Sequence, residues 1–507
     1  MALSWNPLRW FASAAPALPP PRQTAELRYS AGKVDSQSRS WIAHSTDPNA
    51  EVAGDIERVR NRARESERNR PMAERILAVW ESSVVGTGAM PKFTASGPRG
   101  AAAAAQAQAL WKRWARESSA ADYLNFGGQQ QLAFRAMMRD GEALARFRYR
   151  RPEDGLSVPL QLQMMEADHL DTSKSEELAN GGRIVNGVEF GPFGGLEAYW
   201  LYRQHPGVYS SMRQESVRIP EGEVLHLFRP LRAGQVRGMS SLAVVLEAIY
   251  QHSEMRRSER IRARANACVF ASVEGVDDPE DEGINPQLPD DGEEAGPSGY
   301  VEDADGNPVN EMPSGAIINV RHGKSLKMHA PAPNVSYPQA IEVEERGIAS
   351  GAGIMYEALS GDLSKVNWAS FRVGDVRFRR IVDQLRALYL EPLFLDRIAG
   401  EWLKVAQASG ALPVADYSVS WRWPRLEEVD REKEAKADNA EMRAGLLSLE
   451  RAAEERGQSL EELVAEHARS KAAAEGAGII LDSLPWTTTT AGQAQVSPVS
   501  SVAAGSN

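Results

Sequence analysis

From Ser240 to Ala271 the chain reads as one long helix with too little grease on it. Leu242, Leu246, Ile249, Ser253, Ile261, Ala265 and Cys268 trace a narrow apolar or small stripe, and Ser240 suits the N-cap. At about 1.5 Å per residue such a helix would run roughly 48 Å, far longer than the usual three turns. Its second half is basic, with Arg256, Arg257, Arg260, Arg262 and Arg264 set against Glu254 and Glu259. A rod this thin cannot bury enough of itself in one small domain. It braces two domains or stands beside parallel neighbours.

A second rod follows. It starts at Pro338, a favoured first helical residue, and Ile341, Ile348, Ala352, Met355 and Leu359 form a narrow seam. It stops at a polar loop, SGDLSKVN (Ser360–Asn367), and helix resumes near Trp368, with a kink or break expected at Pro392. Upstream, Asp55–Trp80 has helical spacing restarted at Pro71. Leu110–Trp114 and Gln129–Met138 are amphipathic helices. At Ala143–Arg150 the period changes to two, and strand signals continue to EVLHLFRP, so residues 51–238 read as an α+β domain. GAIINVRHG (Gly315–Gly323) and SLKMHAP (from Ser325) also look extended. After residue 413 the chain is helical and charged, with Ser459 and Glu462 placed as a capping box. The Ser/Thr-rich end reads as a tail.

The formal charge of −11 is concentrated. Asp277–Asp305 holds twelve acids and no lysine or arginine, so the remainder carries +1. A chain almost neutral outside one acidic segment is not a simple nucleic-acid binder. A single cysteine, Cys268, excludes an internal disulfide framework and a clustered-cysteine zinc site, and suits synthesis in a reducing cytoplasm. No apolar run is long enough to span a membrane. The N-terminal stretch, interrupted by Pro7 and Arg9, reads as a flexible arm rather than a signal peptide.

Catalytic signatures are near misses. GMSSL has Leu242 where a nucleophile elbow needs glycine, GTGAMP has Pro91 where a dinucleotide loop needs its third glycine, and SGDLSK is not a Walker loop. DADGN at Asp303 lacks the calcium-binding glutamate, because the twelfth position is Ser314. No metal ligand set or cofactor is expected. His226 and His252 read as core histidines.

The ordered set of segments resembles the lambda family of tailed-phage portal proteins. The stretches that carry the resemblance are VRNRARESERNRPMAERILAVWESSVVGTG, QQQLAFRAMMRDGEALARF, AYWLYRQHPG, VLHLFRPLRAGQVRGMSSLAVVL and LSGDLSKVNWASFR, spread over roughly residues 25–470. The resemblance implies an α+β ring subunit: an arm (1–50), a wing (51–238), a first stem helix (239–273), a clip containing the acidic insert (274–335), a second stem helix (336–357), a tunnel loop and wing helix (358–412), a helical crown (413–485) and a tail (486–507). It also implies a ring of twelve at one vertex of the virion capsid, assembled in the bacterial cytoplasm. Double-stranded DNA would pass through the ring without sequence readout. The terminase large subunit, a head–tail adaptor and the capsid protein or scaffold would be its partners. On this reading Ser364, Lys365 and Asn367 approach the DNA, Trp368 anchors the restarting helix, and the five stem arginines either line the channel or pair with acids of the neighbouring stem, with pairing favoured. The competing readings are a different head–tail adaptor ring, or a metal-dependent DNA-processing enzyme using Glu166, Asp168 and Asp171 in MEADHLD.

Overall fold

The computed structural model describes residues 44–121, 123–208, 215–267, 271–274, 301–302, 308–309, 325–328, 336–364, 366–424, 431–455 and 460–477. The expectations for most of the arm, Cys268, the Gly315–Gly323 strand, most of the acidic segment, Lys365, Ser459 and the tail lie outside them, while residues 48–50 of the expected arm already belong to the first helix. The chain divides into two units, Met1–Asp47 and Pro48–Asn507, and the described helices and strands all belong to the second.

Helices α1 (Pro48–Asn69) and α2 (Pro71–Val84) flank Arg70, whose extended backbone lets Pro71 open the second helix. Val52, Ile56 and Ala63 of α1 and Ala73, Ile76, Leu77, Trp80 and Val84 of α2 are buried at helical spacing. Strand β1 (Met90–Ala95) leads to α3 (Gly100–Glu117), whose Ala103, Ala107, Trp111 and Trp114 face inward. In α4 (Phe126–Asp140) the Asn125 side chain caps the first turn by accepting from Gly128 N at 2.9 Å.

Gly141, at φ 95°, then turns the chain into β2 (Glu142–Tyr149). This is the central strand of an antiparallel sheet in the order β3 (Leu160–Met165), β2, β9 (Val224–Phe228). Ala143, Ala145 and Phe147 join the large core beneath the helices. Leu144, on the opposite face, joins Leu170, Val188, Tyr199, Leu201 and Val224 in a second core. That core packs against a five-stranded antiparallel meander: β4 (Glu176–Glu177), β5 (Arg183–Val185), β6 (Val188–Phe190), β7 (Leu196–Tyr202) and β8 (Ser216–Pro220).

The first rod, α5 (Leu246–Ala267), has 22 residues and starts six later than the expected Ser240. Ser240 Oγ accepts from Leu242 N at 3.2 Å, and Ala243 N and Val245 N donate to the carbonyls of Ser240 and Leu242. These three-residue steps form a turn that delays the helix. Strands β10 (Ala271–Glu274) and β13 (Ser325–Met328) pair antiparallel, and β11 (Val301–Glu302) pairs with β12 (Pro308–Val309). The second rod, α6 (Tyr337–Ala352), ends at Gly353 with φ 72°, and one more turn, α7 (Tyr356–Ser360), precedes the polar loop.

Pro392 does not break the chain's next helix. α8 (Trp368–Leu385) passes through ten residues of wide π-type turns (Arg386–Leu395) into α9 (Asp396–Ala408). The wider turn accommodates a ring that has no N–H to offer and would collide with the carbonyl of an ordinary α turn. The segment expected to open a helical crown at 413 instead begins with strand β14 (Tyr417–Arg422), which pairs with β1 from Met90↔Arg422 to Ala95↔Tyr417. Alternation in YSVSWR gives β14 one inward face, Tyr417, Val419 and Trp421, that packs on the large core. The charged helices α10 (Arg431–Arg443), α11 (Leu449–Glu455) and α12 (Leu460–Ala477) come after it.

Candidate nucleic-acid interface

The rods leave the body from a buried knot of charge. Glu142, at the start of β2, accepts from Arg237 Nε at 3.0 and 2.9 Å, from Arg60 at 3.2 Å and from Gly238 N at 3.2 Å, and His226 Nε2 is 2.9 Å away. All four side chains are buried. Burial alone would raise the Glu142 carboxyl. The Arg237 guanidinium, with hydrogen bonds from His226 and Arg237, outweighs it and holds the group well below the usual carboxylate range. Beside this knot two chain segments touch backbone to backbone. A Cβ on Gly238 would lie 2.0 Å from Gly141 O. The direction in which α5 departs is therefore set by a charge lock and a glycine contact.

Above the lock, α5 packs on α6. Val245 Cγ1 fits against Gly351, where a Cβ would be only 2.7 Å away, and His252 Nε2 lies 3.2 Å from Glu345 Oε1. His226 and His252 are indeed buried and occupied by carboxylates. Of the seam, Ile348 and Leu359 are buried, and Ile341, Ala352 and Met355 are half-buried. Among the described side chains, none on α5 beyond His252 is buried, and none on α6 before Ile348. Arg256, Arg257, Arg260 and Arg264 are exposed there, whereas Arg262 is half-buried and pairs with Glu259 at 2.9 Å.

The polar loop is folded by its own side chains. Gly361 adopts φ 73° after α7, Asp362 N donates to Ser360 Oγ at 3.1 Å, and Ser364 N donates to Asp362 Oδ1 at 2.9 Å. Ser364 and Asn367 are exposed. Asn367 stands just before α8, and its carbonyl accepts from Phe371 N at 3.0 Å. This is an N-cap position, a structural reason for an asparagine that the sequence reading assigns to DNA. Lys365 and the Trp368 side chain lie outside the described residues. The loop opens onto a second basic surface that the sequence reading misses: Arg372, Arg377 and Arg380 are exposed on α8, with Val373 and Val376 between them. The repeated arginines of FRVGDVRFRR carry that signal.

The carboxylates of the enzyme reading are not a set. Asp171 is separate, its oxygens accepting from Ser173 N and Oγ and from Ser216 Oγ. Glu166 and Asp168 do lie with His205, donor atoms within 4.8 Å of one another. But Asp168 is held by Arg64 at 2.6 Å and Arg60 at 3.5 Å, and Arg64 is 3.6 Å from Glu166. Those arginines supply the positive charge that a metal ion would bring, and Asp168 is held below its usual value because Arg60 and Arg64 outweigh its burial. The arrangement is an ion-pair cluster joining α1 to the sheet.

An α+β body, a pair of protruding helices, a small strand-paired element between them and a polar loop before a basic helix are the parts, in the order, that the sequence resemblance implies for a phage portal subunit. Residues 35–386 match the family described as "Phage portal protein, lambda family", and the chain belongs to it. It is a portal protein, a structural component of the virion and not an enzyme. The chain is 24% identical over 440 residues to the "Probable portal protein" of Halomonas phage phiHAP-1, spanning 85% of this chain and 81% of that one. Among solved structures it is similar to a chain of the "Neck of native GTA particle computed with C12 symmetry" (13% identity, TM-score 0.42, 78% of this chain and 91% of that one). It is also similar to an HK97 family phage portal protein from Corynebacterium diphtheriae (12% identity, TM-score 0.31, 69% and 91%). No helix among the described residues is long and apolar enough to cross a membrane.

Proposed function

We propose that this portal protein works as a ring of twelve with a central channel, through which double-stranded DNA is packaged and later ejected. The α5–α6 pair is the stem and the strand-paired element between them the clip, the docking surface for the terminase large subunit and then for head–tail adaptors. The body of residues 51–238 is the wing, and capsid protein or scaffold meets the ring at the vertex. The loop 361–367 reaches into the channel, and Ser364 and Lys365 meet passing phosphates without reading bases.

One observation carries this reading. Among the described side chains, none on α5 beyond His252 and none on α6 before Ile348 is buried, and Met255, Ile261 and Val343 are exposed apolar groups that need neighbours. Rotational repetition of one subunit supplies them. A conduit also has to hold DNA loosely. One lysine per loop, set beside Asp362 and screened over about 10 Å at 0.1 M salt, gives weak equivalent contacts around a circle. Sedimentation of the purified protein tests the assembly. The expected particle has the mass of twelve chains of 55.5 kDa, and a persistent monomer at high concentration would refute it.

A further inference from the structure

The outer face of the three-stranded sheet carries a row of arginines far in sequence from both the loop and the stem. Arg146, Arg148 and Arg150 alternate along and just beyond β2, on the face opposite the helical core. The backbone pairing that holds them straight continues past the strand, because Arg150 N donates to Pro159 O at 2.9 Å. Among the described residues, only Arg146 of the three is ion-paired with a carboxylate, Glu223 at 2.7 Å. Arg148 Nε donates to Gln163 Oε1 and Arg150 Nε to Gln161 Oε1, each at 2.8 Å. Gln161 is itself locked, buried with its amide nitrogen donating to Glu117 O at 2.8 Å and Ser119 O at 2.9 Å.

The glutamines use one donor of each arginine and cancel no charge. The outward nitrogens of both guanidinium groups have no other partner among the described residues. Burial, and then the repulsion of Arg146 and Arg150, push the Arg148 guanidinium below its usual value although Glu223 pulls the other way. Successive side chains on one face stand about 6.8 Å apart. That spacing is close to the distance between phosphates following one another on a strand, and a guanidinium matches phosphate oxygens in a bidentate way.

We propose that Arg148 and Arg150 form a site for consecutive phosphates of duplex DNA on the body of the subunit, separate from any channel contact. The inference does not depend on the ring. Binding of the purified full-length protein to covalently closed circular duplex, which has no end to thread, reads this site. Between about 50 and 200 mM salt, Arg148→Gln with Arg150→Gln is expected to weaken binding and flatten the log–log salt slope by about 1.8, or about 0.9 per lost phosphate contact. Arg150→Gln alone, at an exposed position, is expected to give half that change with an unaltered unfolding midpoint. The proposal is overturned if the wild-type protein does not bind the closed circle or if the double variant keeps the wild-type slope. It is also overturned if polyglutamate displaces the DNA as readily as polyphosphate of equal charge, since the row then fits acidic protein surfaces.

Discussion

Arg237 grips Glu142 with Nε at 3.0 Å from one carboxylate oxygen and 2.9 Å from the other, and neither side chain is exposed. The pair ties the last residues before the first rod to the central strand of the body. Glu142→Ala would leave Arg237 and Arg60 buried without their carboxylate. A loss of about 3–5 kcal/mol in unfolding free energy is expected, read by chemical denaturation, with Glu142→Gln losing less because it keeps the shape and some hydrogen bonds.

The same carboxylate makes the body acid-sensitive. Its folded value lies below the unfolded one of about 4.3. Its contribution is therefore complete above the unfolded value and is lost as pH falls toward the folded one. Asp168, held low by Arg60 and Arg64 against its burial, acts in the same direction. The unfolding midpoint should fall steeply below about pH 4.3, and Glu142→Gln should flatten that limb. An unchanged acid limb in the variant would assign the sensitivity elsewhere.

Gly238→Ala places a methyl 2.0 Å from Gly141 O, an atom that cannot move without shifting the α4–β2 turn. A destabilisation of about 1–3 kcal/mol or more is expected from overpacking against backbone. Because the contact sets where α5 leaves the body, assembly should suffer at temperatures where the subunit is still folded. Calorimetry together with sedimentation separates the two effects.

Much of the fold is legible in the sequence because its signals are local. Pro71 restarts a helix, Gly141 ends one, alternation marks β2, and the polar loop falls between two helices as its turn residues require. What stays hidden depends on distant partners. Arg386 looks like any helical arginine, yet it is buried, donates to Val84 O at 2.8 Å and Ser83 O at 3.0 Å, and so closes the end of α2. Glu142 begins a strand whose apolar residues alternate with Arg146 and Arg148, and only the fold brings Arg237 to it. YSVSWR alternates clearly, but its partner β1 lies more than 300 residues away, so its sequence neighbours group it with the helical end. Asn367 shows that one residue can carry two signals, since the position expected to approach DNA is also the residue just before α8.

Arg256 and Arg257 are both exposed on α5 beyond His252. If they pair with acids of the next subunit, Arg256→Ala with Arg257→Ala weakens the ring, and the ring's salt tolerance drops with it. Exposed pairs contribute about 0–1 kcal/mol each, but the effect recurs at every interface of a closed ring. Intact rings that retain DNA differently would place these arginines at the channel instead.

The most direct test is a reconstruction of the purified assembly by electron cryo-microscopy. The account predicts α5 and α6 of successive copies standing side by side around one pore, with residues 361–367 of every copy inside it. Rods folded back onto their own body, or loops turned to the outer surface, would contradict it.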